Sequence, residues 1–174
     1  MEAVEAIRTS IDAAVRYLGQ HPEEARYTDS PATAVVEEGL RVRVSGPDGA
    51  AVVTDMPTAV GGGGAVPSAG WVFRAALASC VATLIAMEAA RERLALETLE
   101  VTVDSESDDH GILGMDAAVP AGPLSIRVHV RATAPQASTG QLRAVIERGK
   151  SRCPVCDAAQ REVPVTLEVE LQPT

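Results

Sequence analysis

Apolar residues recur along this chain with two different periods, and the period predicts the type of each element. Near the start, five of them follow one another at the three- and four-residue steps of one helix face: Val4, Ile7, Ile11, Val15 and Leu18. Gly19 and Pro22 are expected to end this helix, because neither residue favours its continuation. Its apolar stripe needs a surface to cover, on the same chain or on a partner.

Strict alternation of apolar and polar residues predicts half-buried strands elsewhere. Such stretches lie at residues 40–44, 99–104, 124–131 and 163–171, and Val35 and Val36 extend the first predicted strand to 35–44. Residues 46–49, Gly-Pro-Asp-Gly, have the composition of a turn. Residues 51–54 after that turn are therefore predicted to be the returning strand of a hairpin.

A long helix is predicted over residues 68–93, entered through four consecutive glycines at 61–64. Between residues 71 and 87 it is apolar on nearly every side, which is typical of a helix buried all round. Its last charged residues are expected to mark its exit into water: Glu88, Arg91, Glu92 and Arg93. Shorter helices are predicted at 138–149 and 153–160, and a loop at 105–122. Residues 1–174 thus predict one α+β domain with antiparallel sheets around a long buried central helix, preceded by a helical extension at 1–22.

Composition narrows the classes of function. Aromatic residues make up only 2% of the chain and the formal net charge is −9. Stacking platforms for bases are therefore scarce, and the charge opposes binding to phosphate backbones or anionic lipid. The apolar stretch 71–87 is interrupted by Arg74 and is short for a membrane span. We expect no nucleic-acid partner, no membrane association and a cytoplasmic location.

The three cysteines carry the candidate chemistry. Cys80 lies in the middle of the apolar helix, where a buried thiol that packs like a small hydrophobe is the ordinary interpretation. Cys153 stands directly before Pro154 at a predicted helix start, where backbone N–H groups favour a thiolate. Cys153 and Cys156 form a Cys-x-x-Cys motif, which suits a dithiol redox centre or half of a zinc site. The three histidines lack the spacing of zinc ligands, so neither a metal nor a cofactor is predicted.

Two of these stretches resemble a known family. Residues 67–82, which include Arg-Ala-Ala-Leu-Ala-Ser followed by Cys80, are similar to the central helix of the OsmC/Ohr proteins. Cys153-Pro154-Val155 resembles the second cysteine motif of that family, and the similarity extends over residues 41–171. It implies an intertwined homodimer with its two central helices side by side. It also implies a thiol peroxidase for oxidative-stress defence, in which Cys80 attacks an organic or inorganic hydroperoxide, Cys153 resolves the sulfenic acid and an external dithiol reduces the disulfide.

The chain departs from the family pattern at two supporting positions. The family usually has an arginine in the turn where Pro47 stands, and a glutamate where Ala69-Gly70-Trp71 begins the central helix. Arg41 and Arg43 are the candidate replacements, because they lie beside that turn. Arg74 precedes Cys80 by six residues, about 120° around the helix axis, so it could reach only a partner subunit's thiol.

Alternative functions follow from these departures. In one, the protein has lost catalysis and binds a small apolar or thiol-containing ligand. In the other it is a redox sensor based on its cysteines. Cys156 has no assigned family counterpart, and it is either a relay that receives the disulfide as Cys153–Cys156 or a buried thiol.

Overall fold

Two antiparallel sheets and five α-helices make up the computed structural model, which describes residues 2–171. The helices are α1 (Glu2–Gln20), α2 (Ala69–Arg91), α3 (Asp109–Ile112), α4 (Thr139–Ser151) and α5 (Pro154–Gln160). The strands are β1 (Thr33–Glu38), β2 (Arg41–Ser45), β3 (Ala51–Thr54), β4 (Thr98–Glu106) and β5 (Ser125–Thr133). This is the predicted α+β class.

The first sheet is a three-stranded meander in the order β1-β2-β3. The predicted hairpin across residues 46–49 is confirmed, and Asp48 turns the chain there with a φ of 54°. The single strand predicted over 35–44 is wrong, because the chain reverses at Gly39 and forms two strands. Gly39 has a φ of 58°, a left-handed conformation that alternation alone does not reveal.

The second sheet pairs β4 with β5 over their whole length, with Val101 opposite Val130. The apolar side chains of both strands pack against the core, as their alternation predicts. Opposite charges face each other on the outer side: Arg131 bonds Glu100 at 2.6 Å and Arg127 bonds Asp104 at 3.0 Å. Exposed pairs of this kind favour the register without adding much stability.

The stretch between these strands is not a plain loop as predicted, because it contains the one-turn helix α3. Asp108 caps α3 by accepting a hydrogen bond from the His110 backbone N–H at 3.0 Å. Gly111 lies directly against the backbone of Pro120, so the segment folds back on itself.

The central helix α2 begins after Ser68, whose hydroxyl accepts a hydrogen bond from the Trp71 N–H at 3.3 Å. Leu77, Val81 and Ile85 recur every four residues and form its fully buried face. That face packs on β4, α4 and α5.

The prediction that α2 is buried on every side is wrong for a single chain. Trp71 remains 51% exposed and Phe73 37% exposed. Among the described residues α2 is the one helix long and apolar enough to cross a membrane, with a mean hydropathy of 1.6. The buried face of α2 belongs to the core of the α+β fold. Arg74 of the same helix bonds Ser105 of β4.

Helix α1 extends the predicted N-terminal helix to Glu2–Gln20 and packs against α2. Ile11 is its one buried residue, while Ile7, Val15 and Leu18 of the same stripe remain 39–57% exposed. The stripe therefore covers part of α2 and leaves apolar surface uncovered.

The closing strand predicted at residues 163–171 is wrong for the isolated chain, because this segment pairs with neither sheet. Its apolar side chains still alternate, yet Val165 is 91% exposed, Leu167 85% and Leu171 86%. The pattern is that of a strand, but no described edge of the same chain receives it.

Candidate functional site: a cluster of three thiols

Three cysteines from two distant parts of the chain meet in one core cluster. Cys153 is 1% exposed and Cys156 5% exposed, while Cys80 of α2 is partly buried beside them. Cys80 packs against the buried cluster that contains Cys153 and Cys156, and Val155 packs against the same cluster. All three are thiols in this structure. The fold thus brings together the two cysteines that the resemblance pairs.

The local sequence places Cys153 at the start of α5. It is the N-cap residue, and Pro154 occupies the first helical position, where a missing N–H costs nothing. The N–H of Cys156, one turn further on, donates to the Cys153 sulfur at 3.3 Å. The backbone of Cys156 therefore lies against the Cys153 sulfur, within the cluster on which Cys80 packs.

A buried carboxylate fastens this segment to the central helix. Glu88 of α2 is 4% exposed and accepts a hydrogen bond from Arg152, the residue just before Cys153. Arg91 Nε and Arg148 Nε each lie 3.5 Å from its carboxylate oxygens. A buried charge needs partners of this kind, and three arginines supply them. The expectation that Glu88 marks an exit into water is wrong, because α4 and α5 return over this end of α2.

The surroundings of Cys80 favour its neutral form. Burial raises the pKa of the Cys80 thiol above its ordinary value, and the hydrogen bond and charge of Cys153 act in the same direction. The backbone N–H of Val155 acts in the opposite direction. Within residues 2–171 of one chain, no positive charge contributes to this pKa. Cys80 therefore lacks the cation that usually holds a reactive cysteine as thiolate.

The candidate arginines lie elsewhere in the single chain. Arg41 Nε and Arg43 Nε both bond Glu37 on the exposed hairpin, at 3.2 and 2.5 Å. Arg74 Nη1 donates to Ser105 Oγ at 3.4 Å. The structure thus joins Cys80 with Cys153 and Cys156 but brings none of these arginines to the thiol.

A cavity of about 460 Å³ opens beside the cluster. Cys156 lines it together with Leu77 of α2, Ile126 and Val128 of β5, and Lys150 of α4. Neither Cys80 nor Cys153 belongs to its lining. The cavity therefore gives access to the third thiol of the cluster.

Two buried acids escaped the sequence-based interpretation. Glu88 could have been found from Arg148 and Arg152, which are four residues apart and so form a cationic helix face directly before Cys153. Asp55 is 6% exposed and accepts backbone hydrogen bonds from Met56 at 2.7 Å and Gly63 at 2.9 Å. The Asp55 carboxylate thus fixes the glycine-rich loop that precedes α2. No periodic pattern in the sequence indicates that Asp55 is buried.

Comparison with known proteins identifies the fold. The family model described as OsmC-like protein matches residues 62–168. An OsmC-like protein of Mycoplasma pneumoniae has a TM-score of 0.65 and 16% identity, covering 78% of this chain and 89% of its own. An organic hydroperoxide resistance protein of Legionella pneumophila has a TM-score of 0.57 and 20% identity, covering 78% and 91%.

A third solved structure comes from Vibrio cholerae and carries captopril in one of its active sites. Its TM-score is 0.54 and its identity 21%, and the alignment covers 77% of this chain and 87% of that one. Comparison with curated proteins gave no match. The family model spans more than half of the sequence, and both cysteine motifs lie within it. The chain therefore belongs to the OsmC-like protein family.

Proposed function

We propose that the protein is a cytoplasmic thiol-dependent hydroperoxide reductase with Cys80 as nucleophile and Cys153 as resolving cysteine. The Cys80 thiolate attacks the O–O bond, becomes a sulfenic acid and releases an alcohol, or water from hydrogen peroxide. The Cys153 thiol then condenses with the sulfenic acid, forming the Cys80–Cys153 disulfide and water. An external dithiol donates two electrons and two protons to restore both thiols. No cofactor takes part.

One observation carries this proposal: Cys80 packs against the core cluster that contains Cys153, although the two residues are 73 positions apart. A disulfide between them requires little backbone movement when the fold already brings the two residues into one cluster. Both thiols are also free to react, because neither is tied up in a resting disulfide. The name of the Legionella pneumophila neighbour, an organic hydroperoxide resistance protein, agrees with a peroxide substrate.

The working form in this proposal is a homodimer. The strand-like residues 163–171 are exposed and unpaired, and β1 exposes Val35 by 59% and Val36 by 64%. The uncovered side of α2 presents Trp71 and Phe73. A second copy would supply both the missing strand partner and the missing cover, with the two α2 helices side by side.

The same second copy is the source of a cation for Cys80 in this proposal. Arg41 and Arg43 extend from an exposed hairpin and, within residues 2–171 of one chain, are bound only to Glu37, whose side chain is 32% exposed. Such surface pairs are weak enough to be exchanged on association. An arginine from the partner subunit would lower the pKa of Cys80 and polarise the peroxide.

The test is consumption of cumene hydroperoxide and hydrogen peroxide by the reduced protein with dithiothreitol. We expect turnover well above that of a free thiol. Cys80→Ser should abolish it, whereas Cys153→Ser should allow one oxidation and then stop at the Cys80 sulfenic acid. Arg41→Ala and Arg43→Ala measure the supporting role, with Arg127→Ala on the outer face of β5 as the matched control. A wild-type rate no faster than that of free thiol would refute the reductase.

A second candidate is a binding protein for a small apolar or thiol-containing ligand. It is favoured by the raised pKa of Cys80, by the absence of a cation there within the described chain, and by the cavity beside Cys156. The captopril in an active site of the Vibrio cholerae structure is in accord with such binding. Peroxide inactivity together with saturable binding of captopril, lost in Cys80→Ser, would establish it in place of the reductase.

A further inference from the structure

We propose that Cys156 is a third redox thiol, which takes over the disulfide and presents it to the reductant through the cavity beside α5. This inference rests on the proposed reductase for the origin of the first disulfide. In the step, the Cys156 sulfur attacks the Cys153 sulfur and the Cys80–Cys153 bond breaks. Cys80 leaves as a thiolate and receives the proton that Cys156 loses, so a Cys153–Cys156 disulfide remains and no electrons are exchanged with solution.

The geometry favours this transfer. Cys153 caps α5, and Cys156 follows three positions later, so the two lie next to each other on one helix face. The 3.3 Å hydrogen bond from the Cys156 N–H shows that the Cys153 sulfur is directed toward Cys156. Cys80 packs from α2 against the same cluster that contains Cys153. Cys153 therefore occupies the central place that exchange through a shared sulfur requires.

Access distinguishes the three thiols. Cys153 is 1% exposed, so a disulfide between Cys80 and Cys153 offers an external reductant little approach at that sulfur. Cys156 alone of the three lines the 460 Å³ cavity. Moving the disulfide to Cys153–Cys156 returns Cys80 to its reduced state and places the bond next to the cavity. Peroxide and reductant then approach different sulfurs.

The cavity also indicates the class of reductant. Lys150 is the only charged residue in its lining and the only lysine of the chain, and the rest of the lining includes Leu77, Ile126 and Val128. An ammonium group at an otherwise weakly charged entrance favours a thiol that carries a negative charge. We therefore expect an anionic thiol to reduce the disulfide faster than a neutral one of similar size.

Trypsin distinguishes the two disulfides without ambiguity. The sequence places Cys80 in the tryptic peptide 75–91, and both Cys153 and Cys156 in the peptide 153–161. The reduced protein is treated with one equivalent of cumene hydroperoxide, quenched with N-ethylmaleimide and digested. We expect peptide 153–161 lighter by two hydrogens, with Cys80 alkylated. A persistent cross-link between the two peptides, with Cys156 alkylated, would overturn the relay.

Variants separate this proposal from the reductase itself. Cys156→Ser and Cys156→Ala should trap the Cys80–Cys153 cross-link and lower steady-state turnover about tenfold, because the Cys153 sulfur is buried and that disulfide does not line the cavity. Cys80→Ser treated with diamide, which oxidises thiol pairs without peroxide, should still form Cys153–Cys156. Failure to form it refutes the relay whatever the peroxide activity. If the Cys153–Cys156 disulfide forms but the wild-type protein does not react with peroxide, the reductase is refuted and Cys153–Cys156 remains a redox-active dithiol.

The reductant preference is tested with mercaptoethanesulfonate and mercaptoethanol on the oxidised protein. Lys150→Gln should reduce the advantage of the anionic thiol about threefold to tenfold, the size expected for one nearby charge. Arg143→Gln is the matched control, since Arg143 lies on the same helix with a side chain 75% exposed and outside this cavity. Equal loss in both variants would show general charge attraction and contradict the role of Lys150.

Discussion

Gly149 of α4 lies so close to Ile85 of α2 that a Cβ atom at position 149 would stand 2.7 Å from the Ile85 Cα. The two helices can approach to this distance only because residue 149 has no side chain. Gly149 precedes Cys153 by four residues, and Ile85 follows Cys80 by five. This contact between α4 and α2 therefore sets the spacing at which the two thiols meet.

Gly149→Ala should therefore destabilise the protein, although alanine favours helices. Displacing the Ile85 backbone costs about 3 kcal/mol, and the higher helix propensity offsets about 1 kcal/mol. The free energy of unfolding, measured by urea titration, should fall by about 2 kcal/mol. Gly140→Ala in the same helix is the control, because a Cβ there meets only Ser138 Oγ at 4.0 Å. Equal effects at both positions would contradict the packing role of Gly149.

Removing the carboxylate of Glu88 should leave three arginines without their shared partner. Breaking a buried ion pair costs about 3 to 5 kcal/mol, and these arginines are partly exposed, so we expect Glu88→Ala to cost about 2 kcal/mol. Oxidation to the Cys80–Cys153 disulfide should slow as well, because Arg152 no longer fixes the neighbouring Cys153. Glu147→Ala, whose side chain is 68% exposed, should change stability by less than about 0.5 kcal/mol. An unaltered urea midpoint in Glu88→Ala would rule out the anchoring role.

Alkylation of Cys80 should show the effect of its raised pKa. Because burial and Cys153 both raise this pKa, the thiolate fraction at neutral pH is below that of a free cysteine. In the separated protomer, the iodoacetamide rate at Cys80, followed by mass spectrometry, should keep rising with pH beyond the range in which a free cysteine reaches its plateau. Cys153→Ala removes one cause of the shift, so the rate at a given pH should increase. A plateau at lower pH in the dimer is the effect expected of the partner's arginine, whereas the same plateau in the protomer would contradict the raised pKa.

Dimer formation can be tested at a side chain that is exposed to solvent in the single chain. Leu167 is 85% exposed, so Leu167→Asp should leave the stability of the protomer unchanged while it weakens a dimer that buries this side chain. Loss of one buried leucine should raise the dissociation constant about tenfold to a hundredfold, as measured by analytical ultracentrifugation. Thr166→Asp introduces the same charge on the alternate side of the segment and should have a smaller effect. A wild-type monomer at micromolar concentration would exclude the dimer.

Periodicity was sufficient to predict most elements of this fold, because it follows directly from which side of each element is buried. The predicted helix starts at residues 68 and 138 agree with the structure, in which Ser68 and Ser138 cap α2 and α4. Periodicity could not show that residues 163–171 lack a partner strand. Alternation shows which side chains of a strand share a face, but it does not show which neighbouring strand the segment pairs with.

The thiol cluster was only partly accessible from sequence. The meeting of Cys80 with Cys153 was implied by the family resemblance, because no local pattern relates residues that far apart. Glu88 was missed since a charged residue near a helix end ordinarily points to solvent, and only the return of α4 buries it. The surroundings of Cys80 required the structure, because desolvation depends on packing from several elements at once.

The distance along the chain between the two catalytic candidates has a consequence for synthesis. Cys80 and Cys153 are 73 positions apart, so a ribosome working at about 5 to 20 residues per second makes Cys80 about 4 to 15 s before Cys153. During that interval the nascent helix carries a thiol with no neighbour to condense with, and an oxidant that reaches it can drive it toward irreversible sulfinic acid. With Cys80 as the proposed nucleophile and Cys153 as the proposed resolving cysteine, each new molecule would be most vulnerable to peroxide before its last segment has been translated.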